Sequence, residues 1–463
     1  MILATVLGSG VVFLDGTVVN VALPAIGHDL HTSVTGLQWT VDAYLLTLSA
    51  LLLLGGSAGD RYGRRSVFVV GLVAFSVASA ACGLAPGVGY LIAARAAQGV
   101  GGALLVPGSL AIIAAEFAPE DRGRAIGAWS GLGGVASAVG PFLGGWLIDA
   151  VSWRLIFFLN LPLAAVAVAV ALRHVPESRA PDRDPLDITG AVTVSLALAA
   201  LSYAAIEHRG SGAGVALVLG LVVAALFVVL ERGGDHPMLP LSMFRSAQFT
   251  GANLTTLAVY GALSAALFLV VLRLEVSLRY SALDAGASLV PFTVLMLLLS
   301  PTSGKVAQRI GARVPMTVGP LVTAAGMLLL SRVGAGTRYV SGVLPGVVVF
   351  ALGMVITVAP LTAAVLASVD DARVGAASGI NNAAARLAGL LAVAVLPGVA
   401  GIDPGRSLAS GLHTGYSSAL RIAAVLCAAG GVVAWLFVRR TAPVRPVPHP
   451  SPFGACHDPA VRA

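Results

Sequence analysis

Apolar residues in this chain gather into long runs, broken by short stretches that hold nearly all of the charge. Such runs show neither the alternation of a half-buried strand nor the one-sided stripe of a surface helix, and they predict helices that are apolar all round. A bilayer core about 30 Å thick takes about 20 residues of helix. Runs of that size lie at 2–24, 40–58, 67–86, 89–113, 124–149, 154–173, 187–207, 213–231, 249–272, 286–304, 314–331, 341–367, 375–400 and 416–438, so fourteen spans are expected. The first run follows Met1 with no basic stretch, and Asp15 interrupts it ahead of any cleavage signal. It is expected to remain as a span and not to leave as a signal peptide. Residues 439–463 are basic and Pro-rich and are expected to form a disordered cytoplasmic tail.

Composition removes the soluble alternatives. Of 463 residues, 57% are apolar before the 55 glycines are counted and 11% are charged, against about a quarter charged in a soluble domain. Three cysteines cannot build a disulfide framework: Cys82 and Cys427 sit in apolar runs, and Cys456-His457-Asp458 is an isolated triplet. No metal or other cofactor is expected. The net charge of +7 would suit nucleic acid, but its distribution follows membrane topology instead. With the N-terminus in the cytoplasm, eighteen Lys and Arg residues, Arg61, Arg64, Arg65, Arg122, Arg124 and Arg309 among them, fall on the cytoplasmic side and seven on the other. That bias places both termini inside, which requires an even number of spans.

The chain also repeats itself. GSAGDRYGRR (56–65) and GKVAQRIGAR (304–313) align at an offset of 248, pairing Gly56 with Gly304, Arg61 with Arg309, Gly63 with Gly311 and Arg65 with Arg313, while Gln308 replaces Asp60. A second echo joins EDRGRAIG (120–127) to DDARVGAASG (370–379). Two related six-helix halves, 1–173 and 249–438, with linkers and two inserted helices over 174–248, account for both echoes.

This layout resembles the major facilitator superfamily, and five ordered motifs carry the resemblance. LDGTVVNVALP (14–24) is similar to the first-span signature of its fourteen-span drug:proton antiporters, the EmrB/QacA type. GSAGDRYGRR is similar to the superfamily's loop motif between spans 2 and 3, and LIAARAAQGVGG (91–102) to its span 4 motif built around an arginine. Gly127, Gly140, Pro141, Gly144 and Gly145 match the span 5 antiporter motif, with Ala136 where a glycine is usual, and WRLIFFLNLP (153–162) is typical of the fourteen-span branch. The resemblance implies an all-α membrane protein of the major facilitator fold, with fourteen transmembrane helices in two six-helix halves and an inserted two-helix hairpin.

Charge at bilayer depth costs about 2.5–3.5 kcal/mol on insertion scales, so each such residue is a functional candidate. Counted at about 1.5 Å per residue, Asp15 lies roughly 20 Å into the first span, and Arg95 about 9 Å into the fourth from the opposite side. Asp42 enters from that side too. The three are expected to form a proton-coupling cluster, a carboxylate binding the proton while Arg95 tunes it. The alternatives are a static ion pair and, for Asp42 beside Trp39 and Tyr44, simple solvation. All eight histidines fall in loops, span ends or the tail, which leaves a carboxylate as the carrier.

Gly140 and Pro141, with Gly144 and Gly145, permit a bend and close helix approach; the resemblance makes them a mark of exporters that exchange substrate for protons. Gly56, Asp60, Arg61, Gly63, Arg64 and Arg65 read as a positive-inside anchor, to which the resemblance adds a conformational latch. Arg386 in the thirteenth span has no acidic neighbour in its helix and must face inward, towards an anionic substrate group or a carboxylate such as Asp15. Asn20 and Asn382 are cavity candidates by polarity, with interhelical hydrogen bonding as the alternative. Trp39, Trp146, Trp153 and Trp435 are expected in the interfacial belt.

No nucleotide-binding loop is present, since Val306 follows the one lysine, Lys305. No span carries a nucleophile with a base or a metal constellation. The expected function is a non-enzymatic, proton-coupled efflux transporter of hydrophobic or amphipathic drugs and antibiotics, acting by alternating access as a monomer in a bacterial plasma membrane. Its expected partners are a small-molecule substrate, protons and the bilayer, with no nucleic acid. The alternatives are a dedicated exporter of one metabolite or self-made antibiotic and, third, a proton-coupled importer.

Overall fold

The computed structural model describes residues 1–117, 119–179, 185–208, 210–234, 237–369, 374–402 and 408–439. Its elements, in chain order, are α1 (Ile2–Asp29), α2 (Val34–Tyr62), α3 (Arg64–Gly83), α4 (Val88–Glu116), α5 (Pro119–Ala150), α6 (Leu155–Phe158), α7 (Asn160–His174), α8 (Ile188–Ile206), α9 (Ala213–Gly233), α10 (Ala247–Leu272), α11 (Ala282–Ser288), α12 (Val290–Ile310), α13 (Arg313–Leu330), α14 (Leu344–Leu366), α15 (Val374–Val399) and α16 (Leu408–Phe437). Thirteen helical stretches among the described residues are long and apolar enough to cross a membrane. α5, at 32 residues, is longer than any of them, and the side chains of residues 119–128 lie outside the described set.

Helices outrun the apolar runs that mark them. α2 begins at Val34, six residues before the run at 40, because Gln38 and Trp39 continue the helix with polar partners of their own. The run at 154–173 breaks at Leu159 into α6 and α7, and that at 286–304 breaks at Leu289, its first residues ending the short α11. A π-helical turn, Arg273–Ser277, extends α10. Prolines lie inside α1, α4, α5, α12, α13, α14 and α15; within a membrane, neighbouring helices supply the groups that make such breaks tolerable.

The sequence repeat has a backbone counterpart. Gly63 joins α2 to α3 at φ +120° and Gly311 joins α12 to α13 at φ +84°, conformations that favour glycine. The second echo cannot be compared, since residues 370–373 and the side chains of 120–127 lie outside the described residues, as does the tail from residue 440.

Packing among α1–α7 is dense, with α1 on α5 and α7, α4 between α2 and α3, and α3 on α7. α10 to α16 pack likewise, α10 on α15 and α16, and α13 between α14 and α16. Two seams join the groups, α2 against α15 and α5 against α11 and α12, with α1 meeting α10 between them. α8 and α9 pair with one another, and α8 lies along both α2 and α15. Only 17% of the most apolar stretch of α9 is buried, which puts this pair on the lipid-facing periphery.

Candidate functional site

Asp15 is wholly buried in α1, and the structure builds a polar node around it from four other helices. The Arg95 guanidinium of α4 donates through Nη1 to Asp15 Oδ2 at 2.5 Å and to Gln98 Oε1 at 2.7 Å, and through Nε to the Thr40 carbonyl of α2 at 3.1 Å. The other carboxylate oxygen accepts from Gln98 Nε2 at 2.9 Å and Asn160 Nδ2 at 3.2 Å. Asn160, first residue of α7, also donates to Ser79 Oγ of α3 at 3.0 Å. Arg95 lies over the Tyr44 ring, 4.2 Å from its centroid. Buried charge is tolerated only when paired and hydrogen-bonded, and here a single ion pair receives enough donors and acceptors to hold five helices in register.

Asp42 is equally buried but stands outside the node, and neither of its oxygens has a hydrogen-bond partner. The expected three-charge cluster therefore reduces, in this conformation, to Asp15 and Arg95, and the solvated alternative for Asp42 is excluded. Helix geometry supplies the reason. Tyr44, which covers Arg95, is two residues from Asp42 and so about 200° round α2. Asp42 shares its face instead with Gln38, one turn away, whose Nε2 donates to the Val393 carbonyl of α15 at 2.7 Å. One turn the other way, Leu46 packs with Leu198 of α8 and Leu390 of α15. Asp42 belongs to the α2–α8–α15 seam.

Arg386 of α15 is half-buried, its Nε is buried without a partner, and it forms no hydrogen bond or ion pair among the described residues. The ionisable groups acting on it are the phenols of Tyr44 on α2 and Tyr260 on α10. Asp15, one of the partners open to it from the sequence, is committed to Arg95. Asn382 lies one turn from Arg386, half-buried and without a hydrogen bond among the described residues. Its neighbour Asn381 is the one that ties α15 to α10, through Thr256 Oγ1 at 2.7 Å and Asn253 Oδ1 at 3.2 Å. Asn20 is half-buried and donates only weakly to its own helix, to the Gly16 carbonyl at 3.5 Å. A Cβ placed on Gly16 would meet nothing within 4 Å, which marks open space beside mid-α1.

The glycines of α5 divide between two neighbours. Cβ atoms at Gly140 and Gly144 would strike Thr17 and Val18 of α1, whereas one at Gly145 would lie 2.5 Å from the Ala282 carbonyl oxygen of α11. Pro141 supplies the carbonyl that a side chain at Gly286 would strike in return. At the end of α5, Asp149 accepts from the backbone N–H groups of Ala282 and Leu283, at 3.2 and 2.8 Å, which closes this seam with charge-assisted bonds.

In the loop motif, Asp60 accepts from Arg64 Nη2 at 2.7 Å and Nε at 2.9 Å. Arg65 reaches the Val175 carbonyl and Glu177 beyond α7, Glu177 also accepts from the N–H groups of Arg65 and Ser66, and its carboxylate lies against the position a Gly63 Cβ would take. Gly56 faces Pro107 of α4, and Arg61 lies 5.8 Å from the centroid of the Tyr62 ring. Of the tryptophans, Trp146 and Trp435 are exposed and Trp39 is half-buried, but Trp153 is packed inside, donating to Asp29 at 2.9 Å. Asp29 also pairs with Arg154, so Trp153 is packed against protein beside an exposed ion pair.

Gln98, Asn160, Asn381 and Gln38 bridge helices in ways that the sequence does not reveal, because a lone amide in an apolar run carries no signature. Gln98 has one available signal, its spacing of three from Arg95, which places both on one helix face.

Residues 5–393 match the sequence model of the Major Facilitator Superfamily. The chain is 35% identical over 405 residues to the multidrug resistance protein Stp of Mycobacterium tuberculosis (strain CDC 1551 / Oshkosh), covering 86% of this chain and 75% of that protein. It is 34% identical over 406 residues to the tetracenomycin C resistance and export protein of Streptomyces glaucescens, covering 85% and 74%. Its fold is similar to that of a POT family transporter crystallised with a thioalcohol-conjugated peptide, with a TM-score of 0.71 at 14% identity over 94% of each chain.

Proposed function

The chain belongs to the Major Facilitator Superfamily, and from that premise we propose that it is a proton-driven antiporter exporting hydrophobic or amphipathic antibiotics by alternating access. It is a multi-pass membrane transporter and not an enzyme. With α5 counted, the spans number fourteen: α1 to α7 and α10 to α16 each supply six, and α8 with α9 form the inserted hairpin. Both termini then lie in the cytoplasm of a bacterial plasma membrane, and the α5–α11 seam is the outer gate.

The observation that carries the coupling is the buried Asp15–Arg95 pair. A proton arriving at Asp15 cancels the charge that holds Arg95, and the four flanking helices lose their common anchor. Substrate release and proton uptake are thereby tied to one rearrangement. Asp42 is a second protonation site. An ionised carboxylate with neither oxygen bonded is too costly to bury, whereas the neutral acid is tolerable. Asp42→Asn replaces that acid by a group of the same shape, so thermal stability is expected to change by less than about 1 kcal/mol while proton-coupled transport falls. Equal transport at equal expression would remove Asp42 from the mechanism.

Asp60 and Arg64 form a partly exposed pair whose contribution to stability is small. Asp60→Asn is accordingly expected to insert and melt like the parent but to cycle more slowly, as measured by efflux rate per molecule in vesicles.

The whole reading is tested by resistance profiling of a susceptible host expressing the protein, with and without a protonophore. Resistance to several unrelated antibiotics that collapses with the gradient supports it, and resistance indifferent to the gradient rejects it. A second reading, a dedicated exporter of one compound, is favoured by the single antibiotic named for the Streptomyces relative. Resistance confined to one compound would select it.

A further inference from the structure

We infer that the substrates are hydrophobic organic acids, and that Arg386 receives their anionic group with Asn382 beside it. This rests on the reading of the chain as a small-molecule exporter and adds the charge of the cargo.

The inference follows from the partners of the buried charges on α1, α2, α4 and α15. Asp15 and Arg95 neutralise one another, and every oxygen of Asp15 is occupied by Arg95, Gln98 or Asn160. Asp42 faces the α2–α8–α15 seam and accepts no hydrogen bond from Arg386. Arg386 stays charged at any physiological pH, yet it has no counter-charge among the described residues, only the neutral phenols of Tyr44 and Tyr260. An arginine held deep in a membrane protein without a partner is expensive, and such residues mark a route or site for something that completes them.

Placement agrees with this. Asn382 and Arg386 are one turn apart on α15 and so share a face. Gly389, three residues on, packs between Ser264 of α10 and Leu45 of α2. The face is thus directed between the two groups of helices, with Tyr44 of α2 and Tyr260 of α10 near Arg386. Both residues are half-buried and neither is engaged in the protein's own hydrogen bonds among the described residues. A guanidinium with free N–H groups fits a carboxylate through two parallel hydrogen bonds, and an adjacent amide can donate a third. A cationic amphipath would meet an uncompensated positive charge instead, with Asp15 and Asp42 both enclosed.

The test uses a matched pair of probes, naphthalene-2-carboxylate and naphthalene-2-carboxamide, which differ in charge and little in size. Equilibrium binding of each to the purified full-length protein in lipid nanodiscs needs no proton gradient, so its outcome is independent of whether transport is proton-driven. Wild type is expected to bind the carboxylate about tenfold or more tightly than the carboxamide, the ratio corresponding to one charged hydrogen-bonded contact. Arg386→Gln is expected to abolish that preference while leaving carboxamide binding and thermal stability unchanged, and Arg386→Lys to keep part of it. If wild type does not distinguish the two probes, or if Arg386→Gln distinguishes them as well as wild type does, the inference is overturned. Loss of stability in Arg386→Gln together with loss of both probes would also overturn it, by making Arg386 a structural residue.

Discussion

Arg95→Ala is expected to cost about 3–5 kcal/mol of stability and to abolish transport, the penalty of removing one member of a buried, hydrogen-bonded ion pair. Its loss would leave the Asp15 carboxylate buried with a charge and no cation, the Thr40 carbonyl without its donor, and the Tyr44 ring uncovered. Asp15→Asn also breaks the ion pair and leaves Arg95 without its anion, but the amide keeps the shape of the carboxylate and its oxygen can still accept from Gln98 and Asn160, so its cost is expected to be smaller than that of Arg95→Ala while it can no longer change charge. The two variants separate the roles of the node: the first is expected to lower the melting temperature and the expression level strongly, the second to lower the melting temperature less and to lose gradient-driven efflux. Thermal unfolding in nanodiscs with efflux measured in the same preparation decides the matter. An Arg95→Ala protein that melts with wild type would show that the node does not hold the helices. Arg386 gives the contrast, since the same truncation there removes no bond among the described residues.

Gly145→Val is expected to hold the α5–α11 seam apart. The Ala282 carbonyl lies 2.5 Å from where a Cβ would stand, and backbone cannot move aside as a flexible side chain can. Over-packing of this kind costs about 1–3 kcal/mol, a penalty that applies only in the closed state. The closed-to-open equilibrium should shift by about tenfold to a hundredfold, and transport should fall because one half of the cycle becomes inaccessible. Spin labels at Val151 and Ser281, both exposed beside the seam, report the opening as a longer distance population. An unchanged distance distribution would mean that the helices repack around valine and that the glycine matters for some other reason. Gly286, which faces the Pro141 carbonyl from the other side, should respond in the same way.

Much of the architecture is legible in the order of residues. The helices announce themselves because about twenty apolar residues are needed to cross a bilayer, and their limits escape the pattern only where polar residues continue a helix, as Gln38 and Trp39 do in α2. Asp15, Arg95 and Arg386 stand out because charge in an apolar run is costly. The turn at Gly63 is marked by its repeat at Gly311, and both glycines adopt positive φ. Gln98 and Asn160 do not stand out, since an amide costs too little to be conspicuous.

The class of molecule and the mid-span charges Asp15, Asp42, Arg95 and Arg386 follow from the sequence alone, because both depend on composition and on run length, which are one-dimensional quantities, whereas the burial of Arg273 and Glu231 at helix ends does not. Pairing is decided only in three dimensions. That Arg95 takes Asp15, that Asp42 lies about 200° round α2 from the Tyr44 that covers Arg95, and that Arg386 is left without a counter-charge among the described residues all depend on helix rotation and on which helices meet. Contacts between residues 80 or 145 positions apart leave no trace in local periodicity, and the energy of a buried charge depends almost entirely on such contacts.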